Sequence, residues 1–259
     1  ADLIIAVDPD ADRCALAVPD PASETGWSPL SGDQIGSLLG EFLAERGMTG
    51  SLANSIVSSR LLSRIARAHG LEHHTTLTGF KWIARAPGLG FGYEEAIGFC
   101  PDPAHVRDKD GIATSVVAAS LVAALKAQGC SVWDELERLA RLHGLHVSSP
   151  LTFRVEEIEQ IASGMARLRA QPPSVLAGSP VVEVSDLSQG YRGLPPTDGV
   201  LVLTEAGDRV IARPSGTEPK LKCYLEVILP VAEGEPLPWE QARERLDAIK
   251  GAFAEIIGL

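Results

Sequence analysis

Segments with the apolar spacing of helices alternate with strand-like segments through the first part of this chain. From Asp33 to Arg46 the apolar residues recur at helical spacing, and Ser31 stands where a helix cap is expected. A second helical segment, Leu61 to Ala68, ends at Gly70. This alternation predicts βα units on a largely parallel or mixed sheet. The other predicted elements are a buried strand at 3–7, strands at 54–58 and 72–77, apolar runs at 14–18 and 90–99, and helices at 111–128 and 133–143.

A different pattern begins near Ser148-Ser149-Pro150. Beyond it, most segments are strands separated by turns such as Asp198-Gly199, and successive strands of this kind predict an antiparallel sheet. We therefore expect an α/β domain followed by a C-terminal α+β domain of antiparallel sheet and helices. The predicted elements are a helix at 155–169, a connector at 171–178, strands at 181–184, 200–204, 209–212 and 221–228, a solvated linker at 230–238, and a helix at 239–257.

Composition narrows the class of protein. With 259 residues, of which 45% are hydrophobic, the chain is long enough for one or two well-packed cores. Its net charge of −11 argues against binding to nucleic acid or to an anionic membrane surface, although local cationic pockets remain possible. Because no apolar run approaches about 18 residues, no membrane-spanning segment is predicted.

The four cysteines indicate a reducing compartment. Cys14, Cys100, Cys130 and Cys223 show neither CxxC pairing nor metal-ligand spacing, and each lies in or beside an apolar run. We therefore expect reduced, buried thiols and a cytoplasmic location. No signal peptide is visible, and Ala1 stands directly before a predicted core strand, which is typical of a cut chain rather than a natural beginning.

Three carboxylates alternate in the loop 8–13 (DPDADR), directly after the first predicted strand. Their mutual repulsion is costly unless a hard cation neutralises it, and oxygen ligands suit Mg²⁺. An EF-hand is excluded, because Arg13 and Pro19 occupy the positions that need Gly and Glu. The sequence favours a metal site formed by Asp8, Asp10 and Asp12 over the alternative, an acidic and solvated turn.

The loop 213–222 (RPSGTEPKLK) joins the last two predicted strands and combines cations, hydroxyls, Pro and Gly. Pro and Gly bend the backbone, and Gly lets it approach a ligand closely. Amide groups, two hydroxyls and the fork of Arg213 can then converge on one phosphate. We predict a phosphate-binding loop, with a charged hairpin turn as the alternative.

Three weaker motifs lie in the first domain. The segment 78–81 (TGFK) sits where a strand meets a helix, the usual place for a ligand loop in such sheets. Glu94 and Glu95 are adjacent, and because neighbouring strand residues face opposite sides, at most one of them points into a given pocket. The segment 105–111 (HVRDKDG) precedes the long helix and also fits a charged cap, with Asp110 near the helix dipole.

Taken together, these motifs resemble the α-D-phosphohexomutase superfamily, the phosphoglucomutases and phosphomannomutases. The loop 8–13 is similar to that family's magnesium loop, and 78–81 is similar to its sugar loop. The segments 94–96, 107–111 and 213–219 resemble its sugar-specificity loop, its cationic strip and its phosphate-binding loop. The order and approximate spacing agree over essentially the whole chain. The variants look most like the branch that includes phosphopentomutase and sugar-bisphosphate synthase members.

The resemblance implies phosphoryl transfer between C1 and a distal hydroxyl of a sugar phosphate, with Mg²⁺ as cofactor and a sugar 1,6-bisphosphate as intermediate and activator. An enzyme phosphoserine would donate the group, and such transfer depends mainly on positioning and charge stabilisation. Lys109, with His105 as second candidate, would relay a proton or stabilise charge. Burial among other cations would lower the pKa of Lys109, but the sequence does not show whether it is buried. The implied metal ligands are Asp8, Asp10 and Asp12, and the implied substrate-binding residues are Arg13, Thr78, Gly79, Lys81, Glu94, Arg213, Ser215, Gly216, Thr217 and Lys222.

Two departures from the family pattern matter. Ala96 replaces a Ser that usually contacts a sugar hydroxyl, which implies an altered sugar preference. The family's phosphoserine loop, Ser-His-Asn-Pro-like, does not occur in this sequence. The resemblance therefore assigns residues 1–29 to the end of a second domain, 30–149 to a third and 150–259 to a fourth. It implies missing N-terminal domains as partners and no mutase activity for these 259 residues alone.

Two other functions stay open. A HAD-type phosphatase with Asp8 as nucleophile fits the start of its loop, but Asp12 occupies the last position of that motif and the Arg213 loop is left unexplained. A phosphosugar-binding or regulatory module that naturally lacks a catalytic domain fits the binding motifs as well.

Overall fold

The computed structural model describes residues 1–215 and 218–258, and the chain divides into two compact units, Ala1–His143 and Gly144–Leu259. The first unit contains a three-stranded sheet, a four-stranded sheet and five helices. Its strands are β1 (Ile4–Val7), β2 (Cys14–Pro19), β3 (Trp27–Pro29), β4 (Ser51–Ser55), β5 (Glu72–Thr76), β6 (Leu89–Glu94) and β7 (Gly98–Cys100). Its helices are α1 (Gly32–Glu45), α2 (Leu61–Ala68), α3 (Phe80–Ile83), α4 (Gly111–Ala127) and α5 (Val132–His143).

The larger sheet of the first unit is mixed. Its order is β5-β4-β6-β7, with β4 parallel to β5 and to β6, and β7 antiparallel to β6. The smaller sheet is antiparallel in the order β1-β2-β3. Phe91 and Tyr93 of β6 and Phe99 of β7 are fully buried neighbours in the core. The predicted α/β class is therefore confirmed for this unit.

Local signals explain where the helices begin. Ser31 caps α1 in a capping box, because its hydroxyl accepts from the amide of Gln34 while the Gln34 side chain accepts from the amide of Ser31. Asp110 caps α4 through its side chain, which accepts from the amide of Ala113 at 2.8 Å. Both caps lie at the positions that the sequence predicts.

The second unit is a six-stranded antiparallel sheet with helices. Its elements are β8 (Leu145–Arg154), α6 (Ile158–Ala170), β9 (Val175–Leu176), β10 (Ser179–Asp186), β11 (Val200–Thr204), β12 (Arg209–Pro214), β13 (Lys220–Leu229) and α7 (Trp239–Ile257). The strand order is β8-β13-β12-β11-β10-β9. Leu221, Cys223 and Leu225 alternate with less buried residues along β13, and α6 and α7 pack on their face. The predicted α+β class is also confirmed.

The burial predicted for the first strand is wrong, and the strand β8 is not identified from the sequence. The strand at 3–7 is expected to be buried, but Ile4 and Val7 of β1 are 43% and 45% exposed, because β1 is the edge of its sheet and pairs only with β2. The ten-residue strand β8 has no counterpart in the predicted elements, since Pro150 and the adjacent serines resemble a boundary. Pro is tolerated in β8 because that strand is the edge of the larger sheet.

The cysteine prediction is corrected at one position. All four cysteines are free thiols, but Cys130 is exposed in the turn between α4 and α5. Burial raises the pKa of Cys100 and of Cys223 to about 12. These two thiols are therefore less reactive than an exposed thiol, because the thiolate is the reactive form. Within residues 1–215 and 218–258, no single helix has the length and apolarity to cross a membrane. Only α4 and α5 taken together meet those limits, and they are bent by 88°.

Candidate functional site

The three carboxylates of the loop 8–13 converge. This loop joins β1 to β2, which pair in register up to Val7 and Cys14. Asp8, Asp10 and Asp12 each place one carboxylate oxygen within 4.8 Å of the other two. Ala11 between them has φ of 56°, a left-handed conformation that non-glycine residues adopt at an energetic cost. The loop is thus folded so that three like charges face one another.

The loop is held against the start of α4. The amide of Gly111 donates to the carbonyl oxygen of Ala11 at 3.0 Å. A Cβ added to Gly111 would lie 2.7 Å from the carbonyl oxygens of both Ala11 and Arg13, so this approach requires glycine. Arg13 also forms an antiparallel bridge with Gly98 at the start of β7. Helix α4 and β7 therefore support the aspartate loop from two sides.

Two cations partly neutralise the aspartates. Arg13 donates from Nε to Oδ2 of Asp8 at 2.6 Å, and its backbone amide donates to Oδ1 of Asp8 at 3.1 Å. That amide, helped by the guanidinium, holds the pKa of Asp8 below its ordinary value. Nζ of Lys109 lies 3.0 Å from Oδ2 of Asp12 and 3.5 Å from Oδ1 of Asp108. The structure thus brings both predicted cations into the group.

The condition for a lowered pKa of Lys109 is not met, because its charged neighbours are acids rather than cations. Partial burial does favour the neutral amine. The hydrogen bond to Asp12 and the nearby charges of Asp108 and Glu94 outweigh that burial, so the pKa of Lys109 is raised above its ordinary value. Lys109 is therefore a charged group in this arrangement.

The two adjacent glutamates have different surroundings. Glu94 ends β6, where burial, followed by the charge of Glu95, raises the pKa of Glu94. Lys109, Asp12 and Arg13 also act on Glu94, which places it beside the aspartate loop. Glu95 lies in the turn, where the hydroxyls of Ser55 and Ser58 both donate to its Oε2 at 3.0 Å.

Ser55 and Ser58 are thus site-supporting residues that sequence reasoning does not identify. The signal available was the serine-rich run that follows β4, with Ser58 and Ser59 adjacent. Because Ser58 also accepts from the amide of Glu95 at 3.2 Å, the serines hold the turn that carries Glu94. Two hydroxyl side chains near the end of a strand are common in proteins. The sequence therefore does not show that these two contact Glu95.

The turn between β6 and β7 is strained. Ile97 has φ of 60°, a conformation that is unusual for a β-branched residue and normally taken by Gly in three-residue hairpin loops. The next residue, Gly98, has no side chain, and a Cβ there would lie 2.5 Å from Cδ of Lys109. The Lys109 stem therefore lies directly over the turn, while Ala96 in the same turn is exposed.

The segment 78–81 reaches the site through one residue. Nζ of Lys109 lies 5.4 Å from the ring centroid of Phe80, the first residue of α3. Thr78 and Gly79 are partly buried before that helix, and Lys81 is exposed, with its Nζ 5.8 Å from the ring of Trp82. This segment therefore lies near the aspartate loop but makes no ion pair with it within the part of the chain that the structure describes.

His105 is not part of the group. Its imidazole is 82% exposed, and its Nδ1 lies 2.7 Å from Oδ2 of Asp102. Of the two residues predicted for proton relay or charge stabilisation, the structure brings only Lys109 to the aspartates.

The basic loop of the second unit joins β12 to β13. Arg213 is directly opposite Lys222 in the register of these strands, and the amide of Ser215 donates to the carbonyl oxygen of Lys220 at 2.8 Å. Gly216 and Thr217, two of the predicted phosphate-binding residues, lie outside the described residues. The structure therefore bears on Arg213, Ser215 and Lys222 only.

The aspartate loop suits a divalent cation better than the second acidic group of the chain does. Glu41, Glu45 and Glu135 also lie within 4.8 Å of one another. However, Arg138 contacts all three, at 2.6, 3.2 and 2.7 Å, so every acid of this cluster already has a cationic partner. In the aspartate loop, Arg13 contacts Asp8 and Asp12 and Lys109 contacts Asp12, whereas Asp10 forms no ion pair within residues 1–215 and 218–258. Three hard oxygens fit Mg²⁺.

Comparison with protein families gives two matches. Residues 31–141 match the model described as "Phosphoglucomutase/phosphomannomutase, alpha/beta/alpha domain III". Residues 153–237 match the model described as "Phosphoglucomutase/phosphomannomutase, C-terminal domain". Together they cover more than half of the chain.

Similar proteins carry related names. A probable phosphomannomutase of Haemophilus influenzae is 43% identical, over 87% of this chain and 46% of its own length. A phosphopentomutase of Mus musculus is 31% identical, over 98% of this chain and 46% of its own length. The chain thus spans a little under half the length of these relatives.

Solved structures show the same fold. A putative phosphomannomutase from Thermus thermophilus superposes with a TM-score of 0.67 at 24% identity, over 96% of this chain and 45% of its own. The open form of parafusin, a phosphoglucomutase from Paramecium, superposes with a TM-score of 0.71 at 20% identity, over the whole of this chain and 46% of its own.

Proposed function

Because this chain belongs to the phosphoglucomutase/phosphomannomutase family, we propose that it forms the metal-, sugar- and phosphate-binding part of a cytoplasmic phosphohexomutase. In this proposal residues 1–29 end a second domain, 30–149 form a sugar-binding third domain and 150–259 form a phosphate-binding fourth domain. The remaining domains are the partners of this chain, since it spans 46% of its relatives' length.

The proposed reaction is an intramolecular exchange of phosphoryl groups on a sugar phosphate. A phosphoserine of a preceding domain loses its phosphoryl group to the free hydroxyl of the sugar, which gives up its proton, and a sugar 1,6-bisphosphate forms. The serine oxygen then takes the other phosphoryl group from the same bisphosphate. The bisphosphate therefore serves as intermediate and as activator, and the isomeric monophosphate is released.

In the first unit, Asp8, Asp10 and Asp12 would hold Mg²⁺, which when bound supplies positive charge that makes the phosphoserine a better donor. Arg13 orients Asp8 through its two hydrogen bonds and can also face a phosphate. Lys109 keeps its positive charge beside Asp12 and stabilises negative charge on the transferring group. His105 is left as the second candidate for proton relay.

Sugar and phosphate recognition are divided between the units in this proposal. Glu94 would accept hydrogen bonds from sugar hydroxyls, supported by the turn that the two serines hold. Thr78, Gly79 and Lys81 would line the sugar path. The phosphate that is not transferred would be gripped by Arg213, Ser215, Gly216, Thr217 and Lys222.

The observation that carries the proposal is the convergence of three aspartates within 4.8 Å beside Lys109 and Glu94. The first test is an assay of glucose 1-phosphate conversion to glucose 6-phosphate by the 259-residue chain, with Mg²⁺ and the bisphosphate activator. We expect no turnover above background, because the phosphoserine is supplied elsewhere. Turnover at the rate of an ordinary mutase would contradict this part of the proposal.

The second test is calorimetric titration of the same chain with glucose 1-phosphate in Mg²⁺. We expect Arg213→Gln to weaken binding by about tenfold, since one charge-assisted hydrogen bond is lost. The matched control is Arg243→Gln on α7, which should leave the affinity unchanged. Equal affinity in the unaltered chain, Arg213→Gln and Arg243→Gln would contradict the proposed phosphate role of Arg213.

A further inference from the structure

Four basic side chains share one face of three adjacent strands in the second unit. Arg213 of β12 is directly opposite Lys222 of β13, and Lys220 of β13 is directly opposite Arg154 of β8. Residues in direct opposition lie on the same face with Cβ atoms about 5 Å apart, and Lys220 and Lys222 are about 7 Å apart along their strand. The two basic pairs therefore lie side by side.

This face is the one that the helices leave open. Along β13 the odd-numbered residues Leu221 and Cys223 are buried, whereas Lys222 between them is exposed. Along β8 the exposed residues include Thr152 and Arg154, which belong to the same face as Lys222. Arg154 and Lys222 are consequently exposed to a ligand on the side opposite α6 and α7, and Arg213 and Lys220 are partly buried beside them.

Acidic groups offset only part of this charge. Oε2 of Glu218 lies 2.8 Å from Nζ of Lys220, and Lys220, with further contributions from Arg154 and Lys222, lowers the pKa of Glu218. Within residues 1–215 and 218–258, no carboxylate forms an ion pair with Arg154, Arg213 or Lys222. In a chain whose net charge is −11, this end of the sheet is strongly positive.

A structural role does not explain the arrangement. Like charges in direct opposition across a sheet are destabilising, and here two such pairs are neighbours. Basic residues on edge strands do prevent sheets from joining, and that accounts for Arg154, because β8 is an edge. It does not account for the basic residues of β12 and β13, which are interior strands with both edges paired.

We propose that Arg154 and Lys220 extend the Arg213–Lys222 pair into a site for a ligand with two linked phosphate groups, a diphosphate. One phosphate meets the Arg213–Lys222 pair and the second meets the Arg154–Lys220 pair. A diphosphate bound in this way competes with the sugar monophosphate, because both ligands use the Arg213–Lys222 pair. The inference rests on the proposed function only in its use of Arg213 and Lys222 as phosphate ligands.

The test is calorimetric titration of the 259-residue chain with inorganic phosphate and with pyrophosphate, at equal ionic strength and without divalent cations. We expect pyrophosphate to bind about tenfold more tightly than phosphate, as a further charge-assisted contact allows. Arg154→Gln should abolish that preference and change phosphate affinity by less than about twofold, because Arg154 faces only the second phosphate. Arg243→Gln removes an equal charge elsewhere in the same unit and should keep the preference.

The outcomes separate the two proposals. If Arg213→Gln leaves both affinities unchanged, the phosphate role given to Arg213 above is wrong. If Arg213→Gln weakens both ligands but Arg154→Gln keeps the preference for pyrophosphate, the diphosphate site is refuted and the phosphate loop stands. Thermal unfolding confirms that Arg154→Gln is folded, and we expect its unliganded melting temperature to be no lower than that of the unaltered chain, since a like-charge neighbour is removed.

Discussion

The two ionic regions of this protein are built in opposite ways. Around the loop 8–13, three acids face one another, and Arg13 and Lys109 pair with Asp8 and Asp12 but not with Asp10 within the described residues. On the open face of the second unit, basic residues face one another, and within residues 1–215 and 218–258 Glu218 forms an ion pair with Lys220 alone. Among the described residues, the first region has more acids than bases, and the second has more bases than acids.

This difference shows how the sign of an incomplete cluster identifies its ligand. In the group of Arg138 with its three glutamates, every acid already contacts a cation, so this group offers no unpaired acid to a ligand. A cluster of one sign is destabilising unless a ligand of the other sign binds. A cation therefore suits the first unit and an anion suits the second, and each of the following experiments tests one side of that contrast.

The largest effect is expected for a metal ligand. Asp10→Asn should weaken binding of Mg²⁺ by about 100-fold or more, because loss of a direct ligand costs at least as much as loss of a supporting contact. Titration with Mg²⁺ by calorimetry measures this affinity. Glu24→Gln, at an exposed acid of the same unit, is the control and should bind Mg²⁺ normally. Unchanged binding in Asp10→Asn would mean that the aspartates form a solvated turn.

The next effect concerns the packing under the aspartate loop. Gly111→Ala should destabilise the first unit by about 2 kcal/mol, because its Cβ would press on two carbonyl oxygens of the loop. Gly251→Ala in α7 is the control of opposite sign: its Cβ meets nothing within 4 Å, so it should stabilise the second unit by about 0.5–1 kcal/mol. Urea unfolding with hydrogen exchange measures the free energy of unfolding of each unit. A first unit that is as stable in Gly111→Ala as in the unaltered chain would disprove the close contact at Gly111.

Acid should weaken the first unit through His73 of β5, whose Nε2 lies 3.0 Å from Oδ1 of Asn54. Burial, followed by the neighbouring His74, lowers the pKa of His73 from 6.5 to about 4. Because the folded state favours the neutral ring, its contribution is complete above pH 6.5 and is lost as the pH falls through about 4.

Over that pH range we expect the first unit to lose about 2 kcal/mol of its free energy of unfolding. This is less than the full pKa shift of His73 allows, because the ring is partly exposed. Hydrogen exchange of first-unit amides at several pH values measures it. His73→Gln should remove this part of the pH dependence, whereas His105→Gln, at an exposed imidazole, should retain it. If His73→Gln keeps the full dependence, another group is responsible.

The smallest effect is expected for Glu218, the acid that pairs with Lys220 in the second unit. Glu218→Gln frees Lys220 and should strengthen pyrophosphate binding by about twofold, in keeping with the small energy of an exposed ion pair. Removing an acid therefore has the opposite effect on ligand binding in the two units. Weaker pyrophosphate binding in Glu218→Gln would mean that Glu218 positions Lys220 rather than competing for it.

Elements with local signals could be predicted from the sequence. The predicted bounds of α2 and α7 agree with Leu61–Ala68 and Trp239–Ile257, because periodicity and end signals act within a few residues. The strand β8 and the exposure of β1 could not be predicted in this way. Both depend on which strand lies alongside, and strand pairing joins residues that are distant in sequence.

The candidate site follows the same division. The acids at 8–12 and the bases at 213–222 are recognisable from residue type and spacing. The contacts of Lys109 with Asp12 and of Glu95 with two serines are not, and neither is the opposition of Arg154 to Lys220. These contacts come from the docking of separate elements, for which neighbouring residues carry no signal.

The amino-acid order is sufficient to specify the fold class, most of the helices and the inventory of charged groups, because caps, turns and apolar periodicity operate over short distances along the chain. Which of those charges find a partner is a property of the folded state. Electrostatic energy depends on the distance between groups, and that distance is set by strand register and by the contact of α4 with the aspartate loop.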